Sequence, residues 1–240
     1  MGIIREKWKM ADVIFSHTAV DKGINNVPGV DVKRYGQKAS TSKITKNLQA
    51  VFGRCINPIT KFVNRNGGNL ALSSGYRCYK LNSHPKIQGS SKSRHLFGLA
   101  ADIADGAGVF STEEIFRWAM YNLPEWNLMI WEFPERGNST TVNNDYVRVR
   151  SWVHIDIVPG SNKRELALAT ESRDIRNQYL TEDSKANGAY RSGVYVYGLD
   201  YNQFNIFPEP NIEEINITVS GQSSYANGGM VPLGGAIDIP

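Results

Sequence analysis

The sequence is poor in several features that would each announce a class of protein. Only two cysteines occur in 240 residues, Cys55 and Cys78. Two thiols build neither a disulfide framework nor a CxxC metal knuckle, and buried free thiols are the expected state, with pairing of the two as the alternative. No stretch approaches the roughly 18 consecutive apolar residues of a membrane-crossing helix, so no membrane partner is expected. The first ten residues, MGIIREKWKM, lack the apolar centre of a secretory signal, and action outside the cytoplasm would need another route of delivery. Nothing repeats at a fixed period. Surplus charge is also small, +4 with a pI near 9.0. A nucleic-acid footprint needs Lys and Arg gathered on one face, so no nucleic-acid partner is expected. The densest basic run, Lys33-Arg34 with Lys38, Lys43 and Lys46, reads as a solvated loop and helix start. A mild attraction to an anionic polymer such as a cell wall fits the same charge.

What is present is enough for a core: 41% hydrophobic and 21% charged residues, ordinary values for a globular chain. Residues 1–43 are turn-rich. Ser42 is a plausible N-cap, and Ile44, Leu48, Val51, Phe52, Cys55, Ile59, Phe62 and Val63 then recur at helical spacing. Pro58 should kink or divide that helix, and Asn66-Gly67-Gly68-Asn69 should stop it. Leu70–Ser74 and Leu99–Ile103 read as short strands. Ser111-Thr-Glu-Glu114 opens a second amphipathic helix that ends before Pro124. Trp126–Phe133 and Tyr146–Val158 are further strands, separated by a polar, hairpin-like excursion over 134–145. Arg164–Gln178 reads as weakly helical. Beyond about Leu180 the composition turns to Gly, Asn, Ser and Tyr, which suits a flexible tail or an arm ordered by a partner.

The chemistry concentrates in two places. Ser93–Asp102, SRHLFGLAAD, holds His95 and, seven residues later, Asp102. About fifty residues on, Trp152-Val-His154-Ile-Asp156 places a histidine inside an apolar run. Two imidazoles and one carboxylate are what a catalytic Zn²⁺ requires, three protein ligands with one position left to water. Positions seven apart on a strand point to opposite faces, so the chain must bend between His95 and Asp102, and Gly98 permits it. The site would then tie separate strands of one sheet together. There are four histidines; His17 and His84 fall in polar, turn-like stretches and are expected not to be ligands.

The pattern S-x-H-x-x-G-x-A-x-D, here Ser93, His95, Gly98, Ala100 and Asp102, followed by W-x-H at Trp152 and His154, resembles the D-alanyl-D-alanine carboxypeptidase and L-alanyl-D-glutamate endopeptidase family of zinc peptidases. That family shares its fold with the metal-binding domain of hedgehog proteins. Ser74-Gly75-Tyr76-Arg77 and Leu81-Asn82 also look like the family's stretch before the first ligand. The resemblance spans roughly residues 12–160. It implies an α+β fold, a small, mostly antiparallel sheet with helices on one face, in a zinc peptidase domain over 1–165. Residues 166–240 would be a C-terminal extension or arm.

The resemblance also implies roles. His95, Asp102 and His154 would hold the zinc. Glu132, a lone carboxylate in Ile130-Trp-Glu-Phe133, would be the general base. Roughly twenty residues separate it from His154, more than is usual in the family, which keeps Glu135 and Asp145 in reserve. Arg77 would grip a substrate carboxylate through a bidentate fork, Ser93 would orient the first ligand or touch substrate, and Asp156 would support a ligand. The implied substrate is the peptidoglycan stem peptide, cut as a carboxypeptidase or as an L-Ala-D-Glu-type endopeptidase. The implied setting is a phage lytic or virion-associated enzyme, in the virion or in host cytoplasm before release to the wall, with residues 180–240 available to virion proteins. The rival expectation is a zinc-bearing binding or structural module without turnover.

Overall fold

The apolar spacing of residues 41–65 becomes a helical layer. In the computed structural model, which describes residues 8–30, 39–137, 141–143, 146–148, 150–180, 185–190, 193–200 and 204, two short helices come first, α1 (Met10–Ile14) and α2 (His17–Asp21). Helix α3 (Thr41–Val51) is capped by Ser40, two residues earlier than expected; its hydroxyl accepts from the Lys43 amide. Ile44, Leu48 and Val51 are fully or almost fully buried. A wide π-turn over Phe52–Ile56 follows, and α4 (Asn57–Arg65) continues the axis with Pro58 in its first turn. The expected division at the proline thus takes the form of a π-turn just ahead of it, where the hydrogen-bond ladder gives. The ladder ends at Asn66 and Gly67, and the Gly68 amide returns to the Val63 carbonyl.

Strand β1 (Leu70–Ser74), helix α5 (Tyr79–Asn82), a 3₁₀ turn at Arg94–Phe97 and strand β2 (Ala100–Asp105) lead to α6 (Thr112–Asn122). Ser111 and Glu114 form the capping box that the sequence announces. Then come β3 (Leu128–Glu132), a 3₁₀ turn at Pro134–Arg136, a small ribbon of β4 (Thr141–Asn143) and β5 (Tyr146–Arg148), and β6 (Trp152–Asp156). Strand β7 (Glu165–Thr170), helix α7 (Arg173–Tyr179) and the hairpin β8 (Lys185–Tyr190) and β9 (Gly193–Tyr197) complete the described elements.

The fold is α+β. Seven strands order as β1-β2-β6-β3-β7-β9-β8, and every neighbouring pair is antiparallel except β3 with β7. Period-two alternation divides the faces. Ala101, Ile103, Met129, Trp131, Val153, Ile155, Leu166, Leu168 and Val196 join the core shared with the helices. Asp102, Ile130, Glu132, His154, Tyr195 and Tyr197 line a cleft on the other side.

Two expectations change. The sheet is larger than foreseen and runs through the boundary drawn at residue 165, because β7 pairs with β3 along its whole length. The stretch read as weakly helical is β7 plus a short helix. Its Leu166 and Leu168 alternate with Ala167 and Ala169, and alanine, apolar and helix-favouring, hides a period of two. Part of the extension also closes the helical layer: Phe204 packs on Phe116 and Tyr179, and Arg117 donates to its carbonyl. The expected arm lies, from 205 onward, outside the described residues, as do Lys33, Arg34, Lys38 and Asp145. Cys55 and Cys78 are buried free thiols.

Candidate metal centre

The centre is assembled by one turn and two adjacent strands. His95 is not on a strand, as the spacing had suggested, but in the 3₁₀ turn that Gly98 closes in the left-handed region at φ 66°. A Cβ on Gly98 would stand 2.8 Å from the Ile44 carbonyl oxygen and from Leu48 Cγ, so the turn seats directly on α3. Asn47 donates to the Phe97 carbonyl at 2.8 Å and pins the turn from below. Asp102 and His154 are directly paired neighbours on β2 and β6, so their side chains emerge side by side on the cleft face.

Three donor atoms converge. His95 Nε2 lies 3.1 Å from Asp102 Oδ1 and 3.3 Å from His154 Nδ1, and His154 Nδ1 lies 2.7 Å from the same oxygen. On its far side His95 Nδ1 is 2.6 Å from the Gly75 carbonyl, an acceptor, so a neutral ring carries its proton there. The Nε2 lone pair then faces the Asp102 carboxylate, an acceptor, and His154 Nδ1, whose nearer partner is that same carboxylate. Burial, followed by the Arg77 charge, lowers the His95 pKa from 6.5 to about 4, which keeps the ring neutral. Burial also opposes the charged forms of the other two, yet Asp102 is held well below its ordinary value by the two histidines, and His154 is raised by Asp102.

A proton on His154 Nδ1 satisfies Asp102 but leaves the His95 lone pair unanswered. A cation answers all three. Nitrogen and oxygen ligands about 2.0–2.1 Å from a tetrahedral Zn²⁺ stand about 3.3 Å apart; the 3.1 and 3.3 Å separations here match that, and the 2.7 Å His154–Asp102 contact is shorter. The three residues can therefore hold a metal, and the Gly75 carbonyl gives His95 the supporting hydrogen bond that ligating imidazoles require.

Around them lies a cleft of about 1180 Å³. Glu132, at the end of β3, is buried on its floor and accepts from the Tyr195 hydroxyl at 3.2 Å. Burial first, then the nearby Asp102 charge, raises its pKa from 4.5 to about 7. The end of β3 is held from behind: Ser151 Oγ donates to the Glu132 carbonyl at 2.9 Å and meets Thr112 Oγ1, which accepts from the Trp131 indole. Just after the carboxylate, fully buried Phe133 is in the left-handed region at φ 56°, a strained conformation that turns the chain away at that point.

Residues 7–122 match the profile of the family described as Peptidase M15. Over that segment, just under half of its length, the chain is similar to the peptidase M15 family. No curated protein and no solved structure matches it. The matched segment carries Arg77, Ser93, His95 and Asp102, whereas Glu132, His154 and Tyr195 lie beyond it and join the site through the sheet.

The remaining candidates fall as follows. Arg77 lines the cleft with Nη2 3.9 Å from Asp102 Oδ2. Ser93 lines the cleft as well, but the far nitrogen of His95 is held by Gly75. Glu135 accepts from the Thr170 hydroxyl and the Glu171 amide, ordering a turn. Asp156 accepts from the Leu128 amide and lies 3.8 Å from Arg94. His17 packs edge-on against Phe15, and His84 Nδ1 accepts from the Lys86 amide. Gly75 stands in the SGYR stretch, but its part as a backbone acceptor is one that no side-chain pattern reports, and Tyr195 was not anticipated. The alternation Gly193-Val-Tyr-Val-Tyr197 was the available signal for the latter.

Proposed function

We propose that this protein is a zinc peptidase of the M15 type that hydrolyses peptide bonds in peptidoglycan stem peptides, with Glu132 as its general base. The observation that supports this most is the placing of a buried carboxylate in the same cleft as the His95, Asp102 and His154 donors. A Zn²⁺ held by those three supplies Lewis acidity, polarising a carbonyl and bringing the pKa of a coordinated water near 7.

The chain's own residues do the rest. Glu132, ionised and screened from bulk solvent, takes the proton of the attacking water and returns it to the leaving amine. Arg77 Nε is buried without a hydrogen-bond partner. Such a donor costs about 1–3 kcal/mol, which a substrate carboxylate in the cleft offsets by completing the guanidinium fork. A stem peptide, carrying free carboxylates, is a substrate of that kind. Ser93, on the cleft wall beside the His95 turn, is placed to touch the same ligand. The lytic or virion-associated setting, with residues 180–240 facing a virion partner, belongs to this proposal and is supported by the Gly-, Asn-, Ser- and Tyr-rich composition of that end.

Digestion of purified muropeptides, read by mass spectrometry, tests the proposal. Wild type loaded with zinc should release either a terminal D-amino acid or a fragment cut inside the stem, and E132A should keep its zinc and release neither. Full zinc occupancy with no cleavage of any muropeptide would leave the non-catalytic zinc module as the reading.

A further inference from the structure

We infer that Tyr195 is a positioning residue for Glu132, supplied by a strand outside the segment that the Peptidase M15 profile matches; this rests on the role just proposed for Glu132. In the sheet Glu132 pairs with Ala169 of β7, and Ala169 pairs with Tyr195 of β9. The two side chains thus start two strands apart, about 9–10 Å at the usual inter-strand spacing. They meet because the residue between them ends at Cβ. Tyr195 leans across β7 and its hydroxyl donates to Glu132 Oε2 at 3.2 Å, while Ala169 beneath is completely buried.

The next row repeats the arrangement. Ile130 pairs with Ala167, and Ala167 with Tyr197. Its ring lies nearly parallel to that of Tyr195, with centroids 6.2 Å apart at 22°. The lean of Tyr195 is thus braced by a neighbour with the same lean. Asp102, His154 and Arg77 also act on Glu132 through their charges, and Tyr195 adds the directional contact. With Oε2 engaged by the hydroxyl, Oε1 is the oxygen left to handle the proton in transit. Restricting the carboxylate to one orientation is the kind of constraint whose loss lowers turnover while leaving binding intact.

The test is Y195F, which keeps the ring and its stacking and removes only the donor. On zinc-loaded enzyme with muropeptide substrate, kcat should fall about tenfold, as for loss of one hydrogen bond to a charged group, with KM and zinc affinity within about twofold. The acid limb of the kcat/KM profile should move up by about one pH unit, a change that mere loosening of the sheet would not produce. A second readout needs no turnover. In metal-free protein, the midpoint of the pH-dependent stability change assigned to Glu132 by comparison with E132Q should rise by a similar amount in Y195F, and Y195F should shift nothing in the E132Q background. The inference is overturned if neither the acid limb nor that midpoint moves, or if the midpoint moves equally without Glu132. An inactive wild type whose midpoint still shifts would support the Tyr195–Glu132 pairing while removing the peptidase assignment.

Discussion

Replacing Glu132 by Gln should change how the metal-free protein responds to pH, by an amount the structure sets. Glu132 is 7% exposed, and its pKa is raised from 4.5 to about 7. A carboxyl whose folded pKa lies above its unfolded one favours the fold when protonated. Its contribution is complete below pH 4.5 and is lost as pH climbs through 7. At 1.36 kcal/mol per unit, a rise of 2.5 units corresponds to about 3 kcal/mol lost between pH 4.5 and 8. His95 works in the opposite sense. With its pKa lowered from 6.5 to about 4, stability rises with pH only up to about 6.5, while His154, whose pKa is raised, loses stability above that, so the wild-type curve alone mixes the three groups. Gln cannot ionise, and subtracting the E132Q curve isolates the glutamate. Urea denaturation in the presence of a chelator, at half-unit steps from pH 4.5 to 8, gives both curves. E132Q should gain about 3 kcal/mol relative to wild type across the range, and saturating zinc should abolish most of the difference by favouring the carboxylate. A flat difference curve would mean that Glu132 ionises like a solvated carboxylate, and the case for its placement as base would collapse.

Three further outcomes are expected. G98A forces a Cβ onto Ile44 and Leu48 in a left-handed turn, so it should cost about 2 kcal/mol or more and weaken zinc binding by displacing His95, both measurable by denaturation and metal titration. D105N breaks a carboxylate that accepts from four amides, those of Asn69, Ala107, Val109 and Phe110. It should lower stability by about 2–3 kcal/mol, with zinc affinity unchanged. R77K keeps the charge without the fork, so KM for a stem peptide should rise about tenfold while the protein retains its metal; an unchanged KM would remove Arg77 from the substrate contacts.

What could be read in advance was what is encoded locally. His95, Gly98 and Asp102 fall within eight residues, and the need for a bend at Gly98 follows from strand periodicity alone. That the bend is a 3₁₀ turn does not, because its geometry is set by contact with α3 and by Asn47. The pairing of Asp102 with His154 could be anticipated only as two polar breaks in apolar runs. Glu132 was legible as a lone carboxylate, whereas its depth in the cleft depends on β7 and β9 closing the sheet beside it. Asp105 passed unnoticed because its partners are backbone amides. Tyr195 lay in a stretch whose glycines and asparagines conceal a short alternating strand.

The parallel join between β3 and β7 governs how this molecule can be taken apart. Trimming the chain at residue 165 would strip β7 from β3 and leave a bare apolar margin, the sort of rim along which polypeptides stick to one another. Glu132 stands at the end of that margin, and Ala169 and Tyr195 would be gone from its flank. The smallest piece that keeps the whole reaction chamber therefore extends to at least Tyr197, well past the point where the family pattern stops.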